Sequence, residues 1–134
     1  MQITRQADYA VRAVMHLAGM KNGDRAPTSK IAASEKIPPS FLAKIVSQLS
    51  VAGVVQTSRG ARGGVSLARD PQEISLLEVI EAIDGPIALN ECVIDPQACP
   101  FGSDCPVHEV WCQAQEELVK KLANTKFSEL VRNK

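Results

Sequence analysis

Apolar residues recur at helical spacing almost from the start of the chain. Ala7, Ala10, Val11, Val14, Leu17 and Ala18 fall on one face of a helix predicted over residues 5–18, with Thr4 as its N-cap and Gly19 at its end. A polar loop over 21–26 follows. Thr28 is expected to cap a short helix over 29–34 that turns Ile31 and Ala32 inward. Residues 35–38 make a tight connection. Pro39 suits the first turn of the next helix, where its missing N–H is harmless, and Gly53 supplies a left-handed stop after Ala52. On that helix Phe41, Leu42, Ile45, Val46 and Leu49 form the predicted inner stripe. Ser40, Lys44, Ser47 and Gln48 lie mainly on the other side.

The period then changes. Residues 54–58 and 65–68 read as short strands joined by Arg59-Gly60-Ala61-Arg62-Gly63-Gly64, a hairpin tip. Ser75-x-x-Glu78 is a capping box opening a helix with Leu76, Leu77, Val79, Ile80 and Ile83, closed by Gly85-Pro86. Residues 106–124 read as the longest helix, striped by Val107, Val110, Trp111, Ala114, Leu118 and Leu122. Thr125 is expected to cap a last turn containing Phe127, Leu130 and Val131. The predicted fold is mainly α with a small β-hairpin wing: a winged helix-turn-helix over 1–85, then a cysteine loop and a long C-terminal dimerisation helix over 86–134, one compact domain overall. The long stripe has more apolar surface than one short domain covers, and a symmetric dimer seam is a natural use for it. Packing within one chain is the competing reading.

Charge sharpens this picture. The chain of 134 residues has zero formal net charge. Residues 1–70 nevertheless hold ten Lys and Arg against four Asp and Glu, and residues 71–134 hold five against eleven. A basic half can meet phosphates while an acidic half faces away. Ser40 and Lys44 sit near the start of the candidate reading helix and point outward. Thr28 and Ser29 begin the preceding helix and can bond phosphates. At the hairpin tip, Gly60 lets the backbone approach DNA, and Arg59 and Arg62 can reach phosphate or a narrow minor groove. The tip is not a P-loop, because the lysine and hydroxyl that should follow are absent.

No stretch of about eighteen apolar residues is present, so no membrane span is expected. Arg12 and His16 interrupt the only early apolar run, which argues against a secretory leader and for the cytoplasm. Clustered thiols in that reducing compartment point to metal or redox chemistry. Cys92, Cys99, Cys105 and His108 are such a cluster, in a segment punctuated by Pro96, Pro100, Gly102 and Pro106. Thiolates suit zinc or an iron–sulfur cluster. The spacing lacks the paired Cys-x2-Cys knuckles of a zinc ribbon, and three cysteines with an unlike partner better fit a cluster with one replaceable ligand. Cys105 is expected to cap the long helix, whose N-terminus favours bound thiolate, with Pro106 at the first helical position. Cys112, mid-helix beside Trp111, is read as buried packing, and His16 as structural.

The strings TRQADYAVRAVMHL from Thr4 and IPPSFLAKIVSQL from Ile37, the wing Ser58-Arg59-Gly60-x-x-Gly63-Gly64, the three-cysteine loop and the late Glu129-Leu130-Val131 together carry a resemblance. The chain resembles the IscR/NsrR/RirA group of bacterial winged-helix regulators over nearly its whole length. The resemblance implies a homodimer on palindromic double-stranded operators, with the long helices crossing at the interface, acting as a repressor rather than an enzyme. It also implies an iron–sulfur cluster on Cys92, Cys99 and Cys105. IscR-like members add a histidine, which maps to His108 in Cys105-Pro-Val-His108. NsrR-like members use an acidic residue of the partner subunit's first helix, which maps to Asp8. Histidine ligation favours 2Fe–2S and aspartate ligation 4Fe–4S. The chain departs from the group's commonest spacing, with six residues between its first two cysteines. Structural zinc without sensing is one competing function. An iron–sulfur redox protein or enzyme is another, against which stand the missing nucleotide fingerprint, second cluster and acid–base set.

Overall fold

The computed structural model describes residues 2–21, 24–60, 63–90, 93, 95 and 105–131. Cys92, Cys99 and Arg62 therefore lie outside the described residues. Helix α1 (Arg5–Ala18) begins as the sequence predicts: the Thr4 hydroxyl accepts the Ala7 N–H at 3.1 Å. Its buried face, Ala7, Ala10, Ala13, Val14, Leu17 and Ala18, is mostly small. Such a face lets neighbouring helices approach closely, and α2 (Thr28–Glu35), α3 (Pro39–Val51) and α4 (Leu76–Asp84) all pack on it.

Helix α2 starts one residue earlier than expected. Pro27 occupies the N-cap without a side-chain cap bond, so Thr28 is a helical residue and not the cap. Lys36 closes α2 in the left-handed region (φ 57°, ψ 44°), and its N–H bonds the Ala32 carbonyl. That conformation costs a non-glycine residue about 1 kcal/mol or more, and here it makes the turn into Pro38 and Pro39. The inner stripe of α3 is Leu42, Ile45, Val46 and Leu49. Phe41, expected inside, is exposed and meets the Tyr9 ring at a centroid distance of 6.2 Å.

Strands β1 (Val55–Ser58) and β2 (Gly64–Leu67) pair antiparallel, with Val55 opposite Leu67 and Ser58 opposite Gly64. A single bridge adds Ala26 to the hairpin: Ala26 N–H bonds Val65 O at 2.9 Å, and Val65 N–H bonds Ala26 O at 2.8 Å. The bridge requires Gly64. Its φ is +151°, and a Cβ there would stand 2.6 Å from the Ala26 carbonyl oxygen. The wing is thereby anchored to the start of α2.

Half of the capping box forms. Ser75 Oγ accepts the Glu78 N–H at 3.1 Å, while the Glu78 carboxylate turns instead to Arg69. Arg69 also donates to the Gly53 and Glu73 carbonyls, each at 3.4 Å. One of the ten basic groups of the first half thus fastens the hairpin to α4.

Helix α5 (His108–Ala123) starts two residues later than predicted. Val107 takes the N-cap position, so Cys105 does not cap it and Pro106 precedes the helix. Leu118 and Leu122 pack with Ala7, Ile80 and Ile87 in a small second core. Gln115 accepts the Leu89 N–H at 2.9 Å and donates to the Ile87 carbonyl. After α5 the Thr125 hydroxyl bonds back to Lys121 O instead of capping forward. Phe127, in the turn Phe127–Glu129, is fully buried in the main core. Its N–H bonds Ile74 O at 3.1 Å, and Leu76 N–H bonds Thr125 O at 2.8 Å. The C-terminal end of the long-helix segment is therefore tied to the start of α4. None of the described helices is long and apolar enough to cross a membrane.

Candidate nucleic-acid interface and thiol–imidazole pair

The turn geometry sets what α2 and α3 present. Thr28, Ser29, Ser40, Lys44 and Ser47 are all exposed. Gln48 is not a free reader: it is half-buried, and its Oε1 is buried with no partner among the described residues. Thr28 and Ser29 line one wall of an apolar groove of about 360 Å³ whose other wall is Pro39, Leu42 and Ala43. Thr28 also lines a second cleft, about 300 Å³, with Thr57, Ser58, Gly60 and Gly63 of the wing. The α2 start is thus shared between the reading helix and the wing. Arg59 and Gly60 are exposed at the tip.

Sequence reasoning missed a second polar cleft. It measures about 590 Å³ and is lined by Ile3, Thr4, Arg5, Asp8, Tyr9, Arg12 and Lys36. The left-handed turn brings Lys36 to the α1 arginines. Arg5 and Arg12 are seven apart, two turns along one face, and that spacing was the available signal. Asp8 is exposed and bonded to Arg12 at 3.2 Å, one turn on. His16 is structural, as expected: its Nδ1 meets Glu35 Oε2 at 3.1 Å between α1 and α2.

At the other end of the chain, Cys105 is half-buried and not in a disulfide. The His108 N–H bonds the Cys105 carbonyl at 3.0 Å across the turn before α5. The His108 Nδ1 is buried with no partner among the described residues, while Nε2 lies 3.5 Å from Cys112 Sγ. Cys112 is therefore not the buried packing residue expected of it. It is half-buried and paired with an imidazole. Among the described residues no three potential ligands converge on one metal position.

The whole chain matches one family. Residues 3–133 fit Rrf2, described as an iron-dependent transcriptional regulator. The chain belongs to the Rrf2 family. It is 42% identical over 88 residues to a Mycobacterium tuberculosis protein named as a helix-turn-helix transcriptional regulator; this match takes in 66% of the present chain and 55% of that relative, little more than half its length. It is 31% identical to the transcriptional regulator IscR of Xenorhabdus nematophila, over 99% of this chain and 80% of that one. Among solved structures it is similar to CymR, the global cysteine regulator of B. subtilis, with a TM-score of 0.80, 26% identity and coverage of 97% and 95%. It shares the winged-helix fold of a family whose members are transcriptional regulators.

Proposed function

We propose that this Rrf2 protein binds double-stranded operator DNA as a cytoplasmic homodimer, and that an iron–sulfur cluster controls the binding. The observation that carries the DNA reading is the placement of Thr28. It lines one cleft with the start of α3 and another with the wing, so both elements can engage one duplex together. In that mode Ser40 and Lys44 approach the major groove, Thr28 and Ser29 bond phosphates, and Arg59, Gly60 and Arg62 approach the backbone or minor groove.

The homodimer reading rests on α5. Val107, Val110 and Trp111 are 39%, 56% and 37% exposed, whereas Leu118 and Leu122 of the same helix pack inside the chain. An exposed apolar strip at one end of an otherwise anchored helix suits a second copy of itself.

The cluster reading rests on the donor set. Cys105 offers a half-buried thiol, and His108 a buried ring nitrogen with no partner among the described residues, which fits a soft metal centre. Cys92, Cys99, Cys105 and His108 would hold the cluster, 2Fe–2S in that case. Asp8 of the partner subunit is the alternative fourth ligand, with 4Fe–4S. When bound, the cluster supplies a reactive centre that iron supply, nitric oxide or redox state can alter. The chain's own part is to join the ligand segment to α5 and so to the spacing of two reading heads, and a repressor follows if one state fits its operator better. Protein purified without oxygen should contain iron and sulfide. Cys92→Ala, Cys99→Ala and Cys105→Ala should each abolish the visible chromophore, and Cys112→Ala should keep it. Zinc in place of iron and sulfide would replace the sensing reading with a structural metal site.

A further inference from the structure

His108 and Cys112 are four residues apart on α5, so their side chains meet on one face of the helix. Nε2 and Sγ stand at 3.5 Å, within reach for a hydrogen bond to sulfur. The other ring nitrogen, Nδ1, is buried and has no partner among the described residues. A neutral imidazole carries one N–H and one lone pair, so the bond made at one nitrogen decides what the other can do.

We propose that Cys112 is a positioning residue for His108: its sulfur accepts the Nε2–H, fixes the ring, and leaves Nδ1 as the lone-pair nitrogen that binds the metal centre. The inference rests on the cluster reading above and names the atom through which His108 serves it. A histidine bound to metal normally has its second ring nitrogen held by another group, and that bond sets both tautomer and ring angle. Here the held nitrogen is Nε2, and Nδ1 is the one with no partner among the described residues. The reverse assignment would bury an N–H at Nδ1 without an acceptor, which costs about 1–3 kcal/mol. A lone pair at the same place is relieved by a metal. Sulfur is a weak acceptor, so removing it should loosen the site without abolishing it.

The chain has two histidines, which makes the test clean. In His16 the nitrogen beside Glu35 is Nδ1, so its N–H is on the opposite atom from that inferred for His108. Cluster-free protein with 15N-labelled histidine should show, by long-range proton–nitrogen NMR above the titration range, one ring protonated at Nδ1 and one at Nε2. Cys112→Ala should move the second ring toward the averaged pattern of free imidazole, and Cys112→Ser should restore it. Unchanged His16 signals report an intact fold in each variant. In reconstituted, reduced protein labelled only at Nδ1, pulsed EPR should show strong coupling of that nucleus to the cluster. Cys112→Ala should lose its cluster to a chelator about 10-fold faster. An Nδ1-protonated His108 in the wild type, or a His108 pattern unmoved by Cys112→Ala, would overturn the role of Cys112. Strong coupling from Nε2-labelled protein would overturn the choice of atom. Wild-type protein that assembles no iron and sulfide would instead defeat the cluster reading, and the NMR of the cluster-free form would still decide whether Cys112 sets the tautomer.

Discussion

His16 and Glu35 join α1 to α2 through one bond, Nδ1 to Oε2 at 3.1 Å, with the Glu35 side chain 8% exposed. A carboxylate that deep depends on its donors, and the pair holds the first helix of the reading motif against the body of the domain. His16→Ala should destabilise the fold by about 1–3 kcal/mol. Urea titration gives the value through a lower midpoint at unchanged slope.

Basic residues of the first half separate into two classes. Arg59 and Lys44 are exposed at the wing and on α3, whereas Arg69 is bonded to Glu78 and to two carbonyls. Arg59→Ala and Lys44→Ala should each weaken operator binding and reduce its salt slope by about one unit. Arg69→Ala should lower stability and leave the salt slope unchanged. Binding measured across a salt series, beside thermal melts, distinguishes the classes.

Gly64 tests the anchoring of the wing. A methyl group there meets the Ala26 carbonyl on a backbone that already has φ +151°, so the bridge to β2 must open or shift. Gly64→Ala should cost roughly 1–3 kcal/mol and reduce operator affinity. Slowed amide exchange at Ala26 and Val65 in the wild type, lost in the variant, would locate the effect.

The α5 strip and the C-terminal turn should respond differently to substitution. Val110→Glu places charge on a 56% exposed apolar position and should shift the protein from dimer to monomer in sedimentation, with little change in helix content. Phe127→Ala removes a fully buried ring and should cost about 3–5 kcal/mol, seen as unfolding at much lower denaturant.

Much of this was legible in the chain. The bounds of α1, the inward residues of α3, the hairpin and the capping hydroxyl of Ser75 follow from period and local chemistry, which act over a few residues. Helix starts were less legible. Pro27 and Val107 take N-cap positions that Thr28 and Cys105 were expected to fill, because a hydroxyl or thiol before a helix need not be the residue that turns it. Phe41 reads as core by its type but lies beside Tyr9 on the outside, a long-range outcome that no local pattern encodes. The cleft formed by Arg5, Arg12 and Lys36 depends on one left-handed residue in a turn. The pairing of His108 with Cys112 was visible as a four-residue spacing, and the bare Nδ1 was not. Cys92, Cys99 and Arg62 lie outside the described residues, so the roles proposed for them rest on the sequence.

The central claim is that a cluster near the start of α5 controls DNA binding. The most direct test is a titration of operator DNA with cluster-loaded and cluster-free protein, without oxygen and at matched salt, with iron and sulfide counted in the same samples. A coupling of about 1–3 kcal/mol predicts affinities that differ about 5- to 150-fold, or a change in the operator preferred. Identical affinities of the two forms for every operator would contradict the claim.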